Sequence, residues 1–414
     1  MKTKSWYLNL FWAYAILHIS VLACKKQSLF EPQLSPQQWE ADLDFLQKTL
    51  LEKHADAFNF ISENEFLEKV AQTKKRLEKA SKVEAMLEME KLAASIGDGH
   101  TWATNRFDAD PYLLTPLYLR WFEDGIRVVG IEAENQQFLG WYLQKVNDVP
   151  VEEALKALQP YVSQNENRYY RQYWETYWLR NVDALCYEKI SQDKQGIKYT
   201  FCKDGTECQT ITFAGKKDPA ATANLKYAYN PVPFFMTNPD KKIWFRPINE
   251  QVFYIKVNQY PDEAESLRIG IEIYQALKTK SFQKVIFDFR INGGGNKDRV
   301  EAIVNAIYPE NNQARYYAIV GDHSFSAALA NAVFLKQKCK ALILGEPPTN
   351  RPNFYAENYF VNLPNSKIRL SVATKFYEFQ SDNGPELQLD QYIARNFEAY
   401  KTGKDPALRW AIEH

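Results

Sequence analysis

The run Val285-Ile286-Phe287-Asp288-Phe289-Arg290-Ile291-Asn292-Gly293-Gly294-Gly295-Asn296 decides the fold. Its apolar half reads as a strand buried on both faces, and it passes straight into a polar and then glycine-rich turn. The same pattern repeats around it, with strands over 252–257, 284–289, 316–320 and 341–344 and helices over 262–279, 297–307 and 326–337. This alternation predicts an α/β class domain, a mostly parallel sheet with helices on its faces. Ligands bind such sheets at the carboxyl ends of the strands. There, Gly293 to Gly295 leave backbone N–H groups uncovered for an anion or a developing oxyanion. A phosphate loop is a poorer reading, because no Gly-Lys-Ser/Thr follows and the glycine spacing is not that of a dinucleotide site.

Outward from this core, residues 216–245 hold four prolines and mark the start of a last domain, 216–414. Before it, short β runs at 117–121, 126–130 and 140–146 and a turn signal at Asp204-Gly205 predict a β-rich unit over 106–215 that resembles a degenerate PDZ module. Within it, Tyr169, Tyr170, Tyr173, Trp174, Tyr177 and Trp178 recur at near-helical spacing. An aromatic face packed on the core is the favoured reading over a platform for a peptide or glycan. Trp39, Leu43, Leu46, Leu50, Phe66, Val70, Leu77, Met86 and Leu92 predict a helical region over 37–105.

Lys2 and Lys4, an apolar stretch from Trp6 to Ala23, and Val21-Leu22-Ala23-Cys24 form a targeting segment that resembles a bacterial lipobox. The resemblance implies a signal peptide over 1–23, acylation of Cys24 and a polar tether over 24–36, with an uncleaved anchor as the weaker reading. Lipid anchoring places the protein at the cell envelope, with the outer membrane favoured by Lys25 and Lys26. Cys202 and Cys208 flank the Asp204-Gly205 turn, and their spacing allows a disulfide without requiring one. The 414 residues carry 45% hydrophobic and 25% charged residues, which excludes a disordered chain. With 51 basic and 51 acidic side chains there is no electrostatic ground for a nucleic-acid partner, and no metal-ligand spacing is present.

Two further stretches carry chemistry. In Ser324-Phe325-Ser326-Ala327-Ala328 a serine followed by small residues opens a helix, as a nucleophile or an ordinary N-cap; the motif alone favours the cap. In Gly97-Asp98-Gly99-His100-Thr101 a histidine sits in flexible backbone, suited to a base that reaches another domain's nucleophile.

The order of these motifs, closed by Leu344-Gly345-Glu346-Pro347, resembles the C-terminal processing (tail-specific) peptidases, family forty-one of the serine peptidases, over roughly residues 37–414. The ending Gly403-Lys404-Asp405-Pro406-Ala407-Leu408 is similar to that of many Bacteroidetes lipoproteins of the family. The resemblance implies a ClpP/crotonase-like spiral of ββα units and cofactor-free peptide-bond hydrolysis through an acyl-enzyme. It makes Ser326 the nucleophile and Gly294 and Ala327 the oxyanion donors. Where many members have a base lysine this chain has Arg351, which stays protonated and cannot take a proton. Members similar to the tricorn core protease use a histidine instead, here His100, with an acid that falls at Glu386; Asp382, Glu378 and Lys375 are the alternative acid or base. The expected function is a lipid-anchored serine endopeptidase acting on unfolded or extended polypeptide. The alternative is a catalytically silent peptide-binding lipoprotein on the same fold.

Overall fold

The structure is a computed structural model. It describes residues 34–105 and 110–414, so the signal segment and Cys24 lie outside the described residues. Helices α1 (Pro36–Lys53), α2 (Glu63–Leu77) and α3 (Lys82–Ala94) come first. Each is opened by a reciprocal cap in which Ser35, Ser62 or Ser81 accepts the N3 amide while the side chain of Gln38, Glu65 or Glu84 accepts the serine N–H. The short strand β1 (Trp102–Ala103) follows.

The β-rich unit contains β2 (Leu117–Phe122), β3 (Gly125–Glu132), β4 (Tyr142–Val146), β5 (Val149–Pro150), β6 (Ile197–Lys203) and β7 (Glu207–Phe213). Helices α4 (Val151–Leu158), α5 (Arg168–Trp178) and α6 (Val182–Tyr187) lie between β5 and β6. The sheet runs β2-β3-β4-β6-β7, with β5 on β4. After α7 (Pro219–Thr222), strand β8 (Leu225–Tyr227) pairs with β3, so this stretch beyond residue 215 belongs to the β-rich sheet. Val128, Leu143, Val146, Tyr199 and Phe201 pack there with Leu158 and Trp178. Asp204 and Gly205 both take positive φ in the β6–β7 hairpin, and Cys202 opposite Cys208 forms a disulfide.

The core sheet contains β9 (Ile243–Pro247), β10 (Val252–Val257), β11 (Lys284–Asp288), β12 (Arg315–Val320) and β13 (Leu342–Gly345). It is parallel from β10 through β13, with antiparallel β9 at one edge. Alternation along the strands covers both faces. Phe253, Ile255, Val285, Phe287, Ala318 and Val320 meet α8 (Glu263–Thr279), α9 (Asp298–Ile307) and α10 (Ala327–Cys339). Tyr254, Ile286, Tyr317 and Ile319 meet the closing helix, which also buries Leu408 and Ala411. The α/β expectation therefore holds, and strands β10 to β13 and helices α8 to α10 lie within two residues of their reading from the sequence, whereas edge strand β9 and the closing helix were not read from it.

After β13 the chain leaves the core sheet as a long antiparallel hairpin, β14 (Asn353–Asn362) and β15 (Arg369–Glu378). It returns as β16 (Gln391–Tyr392), parallel to β13, and ends in α11 (Phe397–Lys401) and the closing α12 (Pro406–Glu413). Leu363, Ile368, Leu370 and Val372 of the hairpin pack with Trp39, Leu43, Leu46 and Phe66, and β1 pairs with β15. The N-terminal helices thus cover a sheet made by the far end of the chain. The Gly97–Thr101 loop follows α3 and is carried to the core by that packing.

Candidate active site

Ser326 lies between β12 and α10 with φ +56 and ψ −114, a strained conformation for a residue with a side chain. The strain matches a nucleophile held on a sharp strand-to-helix turn. Gly294, on the neighbouring turn after β11, permits the close approach: a Cβ on it would stand 2.8 Å from Ser326 Cβ. Gly294 itself has φ +95, which favours glycine for a second reason.

His100 Nε2 lies 2.9 Å from Ser326 Oγ. The loop that bears it is tied by Asp98, whose Oδ1 accepts the His100 and Thr101 amides at 2.9 and 2.8 Å. Asp98 Oδ2 stands 2.9 Å from His54 Nε2. On the other side the His100 carbonyl accepts Ser371 Oγ at 2.8 Å and Asn358 Nδ2 at 3.0 Å. The imidazole is stacked between Phe325 and Phe354, with ring centroids 4.6 and 5.5 Å away. This apolar sandwich pushes the His100 pKa down to about 4, chiefly by desolvation; Asp98 and Glu357 offset only part of it.

The orienting acid expected at Glu386 is not part of this arrangement. Glu386 forms an ion pair with Arg168 Nε of α5 at 3.2 Å, and His100 Nδ1 is buried without a hydrogen-bond partner among the described residues. The alternatives are also occupied elsewhere. Asp382 accepts Gly384 N–H, Gln380 Nε2 and Gln388 Nε2 at 2.8, 2.8 and 2.7 Å. Glu378 is exposed at the end of β15, and Lys375 Nζ lies over the Tyr377 ring at 4.5 Å. The physical reason is the 379–389 turn, which Asn353 Nδ2 holds through the carbonyls of Gln380 and Asp382. Counting residues from Ser326 cannot see how that turn folds.

The Ala327 N–H opens α10, where helix amides have no partner within the helix, while the Gly294 N–H donates to Asn292 Oδ1 at 2.9 Å. The Ser326 N–H donates to Asn350 Oδ1. Arg351, at the lysine position, directs its guanidinium to the carbonyls of Asn165 and Asn383, at 3.2 and 2.9 Å. Among the described residues no group of three or more His, Cys, Asp or Glu side chains is arranged to hold a metal ion.

Ser326 and His100 open onto a cleft of about 1080 Å³ lined by Trp102, Tyr173, Trp174, Phe354, Ala356 and Phe360 among others. Helix α5 divides its aromatic face: Tyr169 and Trp178 are buried away from the cleft, whereas Tyr173, Trp174 and the largely buried Tyr170 line it. The packing reading of that stretch holds for the buried part of the helix, and the remaining rings line the cleft.

Sequence reasoning missed a buried clamp beneath the glycine turn. Arg290 donates from Nη1 and Nη2 to Asp405 at 2.8 and 2.7 Å and from Nε to both Asp288 oxygens at 3.1 Å. Tyr254 OH donates to Asp288 Oδ2 at 2.8 Å. Lys256 Nζ donates to the Arg290 carbonyl, and burial pushes its pKa down to about 8. The Asp-Phe-Arg sequence at 288–290 was a signal for it; the partner Asp405, which also caps α12, was not marked as such.

No family model matches the chain, and no curated protein matches it. Among solved structures, mature CPAF complexed with lactacystin is similar at 12% identity and TM-score 0.63, covering 91% of this chain and 97% of that one. A second structure of mature CPAF is similar at 12% identity and TM-score 0.61, over 89% and 94% of the two chains. The photosystem II D1 C-terminal processing protease is similar at 11% identity and TM-score 0.44, over 89% and 98%. The chain has the fold of mature CPAF along nearly its whole described length.

Proposed function

We propose that this chain is a serine endopeptidase hydrolysing peptide bonds of unfolded or extended polypeptides. The observation that carries the reading is the 2.9 Å contact between His100 Nε2 and Ser326 Oγ at an open cleft. With its pKa pushed down to about 4, His100 is neutral at neutral pH and can accept a proton. Ser326 Oγ attacks the peptide carbonyl as its proton passes to Nε2, and the Ala327 N–H is the donor for the oxyanion. Collapse breaks the C–N bond, and the imidazolium returns the proton to the leaving amine. Water, giving its proton to the same nitrogen, then hydrolyses the acyl-enzyme. The aromatic cleft walls suit an extended chain, whose side chains can lie against them.

The lipobox at Val21 to Cys24 supports export and lipid anchoring at the bacterial cell envelope, on the outer membrane. The antiparallel sheet from Leu117 to Tyr227 is read as a degenerate PDZ-like module serving the peptidase core. Two observations favour the second reading, a silent peptide-binding protein: His100 Nδ1 has no partner and the Gly294 N–H is engaged by Asn292. Cleavage of casein by the chain from residue 25, beside Ser326→Ala and His100→Ala, separates the two. The peptidase reading expects fragments by mass spectrometry that both substitutions reduce by on the order of 10⁴-fold or more. Intact casein with all three proteins would leave the binding reading.

A further inference from the structure

The segment Ser163 to Asn167, which joins α4 to α5, runs between the loop that bears His100 and the loop that faces Ser326, with Ser163, Glu166 and Asn167 buried. Ser163 Oγ donates to the Asp98 carbonyl at 2.8 Å, and Asn167 Nδ2 donates to the carbonyls of Pro348 and Asn350 at 2.7 and 2.9 Å. Between them stands Glu166, only 4% exposed. Its Oε1 accepts the Gly99 N–H at 2.9 Å and Asn350 Nδ2 at 3.4 Å, and its Oε2 accepts the Arg351 N–H at 2.9 Å. Asn350 in turn accepts the Ser326 N–H.

We propose that Glu166 is a positioning residue of the site, whose carboxylate holds the base loop at Gly99-His100 in register with the nucleophile through Asn350 and Arg351. All the groups hydrogen-bonded to the carboxylate are donors, so it works only as an acceptor on both oxygens. A proton on Oε2 would face the Arg351 N–H, donor against donor, and loosen that link. The charged groups around Glu166 are Asp98 on the base loop, itself paired with His54, and Arg351; Arg171 of α5 donates to the Glu166 main-chain oxygen at 2.8 Å. Burial, with Asp98 adding to it, pushes the Glu166 pKa up to about 7 against the opposing amides. The link therefore opens as pH falls through neutrality.

This inference deepens the peptidase reading, and its test separates the two. Glu166→Gln keeps the size and one acceptor but sets an NH₂ where the acid would carry its proton. It is expected to lower kcat on casein about 10-fold with KM within about twofold, and to abolish a limb near pH 7 in the wild-type profile. A Gln variant with wild-type kcat and an unchanged limb overturns the proposal, whereas a wild type without any cleavage overturns the peptidase reading instead. In that case the ¹³C resonance of the His100 ring in labelled full-length protein decides, since it needs no turnover. A step near pH 7 in wild type that vanishes in Glu166→Gln supports the link. No step, or one that persists in the variant, overturns it.

Discussion

His100 and Ser326 stand 226 positions apart in the chain and 2.9 Å apart at the site, with the ring of Phe325, the residue before Ser326, stacked on the imidazole. Phe325 on one face and Phe354 on the other therefore set the plane of the imidazole. A histidine held by two aromatic faces rather than by an acid is neutral but poorly charged, and its pH behaviour should show it.

The acid limb of kcat/KM that belongs to His100 is expected near pH 4, because burial holds its pKa at about 4. A pH–rate profile of Glu166→Gln, free of the limb near 7, isolates it. A limb at about 6.5, the ordinary histidine value, would mean that the ring is solvated in the working enzyme.

Stability carries the same signature. Between about pH 4 and 6.5 the unfolded chain binds a proton at this ring that the folded chain refuses, so the contribution of His100 rises with pH and is lost on acidification. Glu166, pushed up from 4.5 to about 7, acts in the opposite sense over that interval, so wild-type slopes alone mix the two. His100→Gln is expected to gain on wild type as pH falls from 6.5 to 5, by up to roughly 1.4 kcal/mol per pH unit. Urea unfolding at pH 7, 6 and 5 measures it, and a pH-independent difference counts against the buried neutral ring.

Gly294→Ala sets a methyl 2.8 Å from Ser326 Cβ and 3.1 Å from the Phe325 carbonyl, at a φ of +95. Hydrolysis should fall by about 100-fold or more, since an ångström of displacement at the reacting atoms costs that much. Circular dichroism should show the fold retained. Activity within threefold of wild type would show that the turn can open without moving Ser326.

Asp405→Ala leaves the buried Arg290 guanidinium with Asp288 alone and removes the cap on the Leu408 amide. Breaking one side of such a buried pair is expected to cost about 3–5 kcal/mol. Asp405→Asn keeps the cap and should be less damaging than alanine. Equal urea midpoints for the two variants would assign the whole effect to the ion pair, since Asn keeps the cap and Ala does not.

The disulfide between Cys202 and Cys208 closes a short hairpin, and neither residue lines the cleft. Replacing both by serine should lower stability by about 2 kcal/mol, the loop-entropy value for so short a span. Casein cleavage should be unchanged at a temperature where both forms are folded.

Much of the catalytic layer was legible because its signals are local. The apolar run at 285–289, the glycines after it, and the small residues after Ser326 each state their own conformation, and β10, β11, α9 and α10 fall where the periodicity puts them. Motif order was enough to nominate Ser326 and His100 together. Spacing could not choose the acid, because whether residue 386 faces His100 or Arg168 depends on how Asn353 folds the 379–389 turn. Nor could it show that α1 to α3 rest on β14 and β15, since an apolar helix face names no partner.

What the sequence by itself determined was the α/β class of the core layer and the two side chains on which the proposed mechanism rests, both legible in short windows. The tertiary structure alone decided which groups surround that pair. Glu166, Asn350 and Asp405 are ordinary polar residues in their own segments, and they act here because distant loops bring unpaired donors against them in a buried space where an unmet donor is costly.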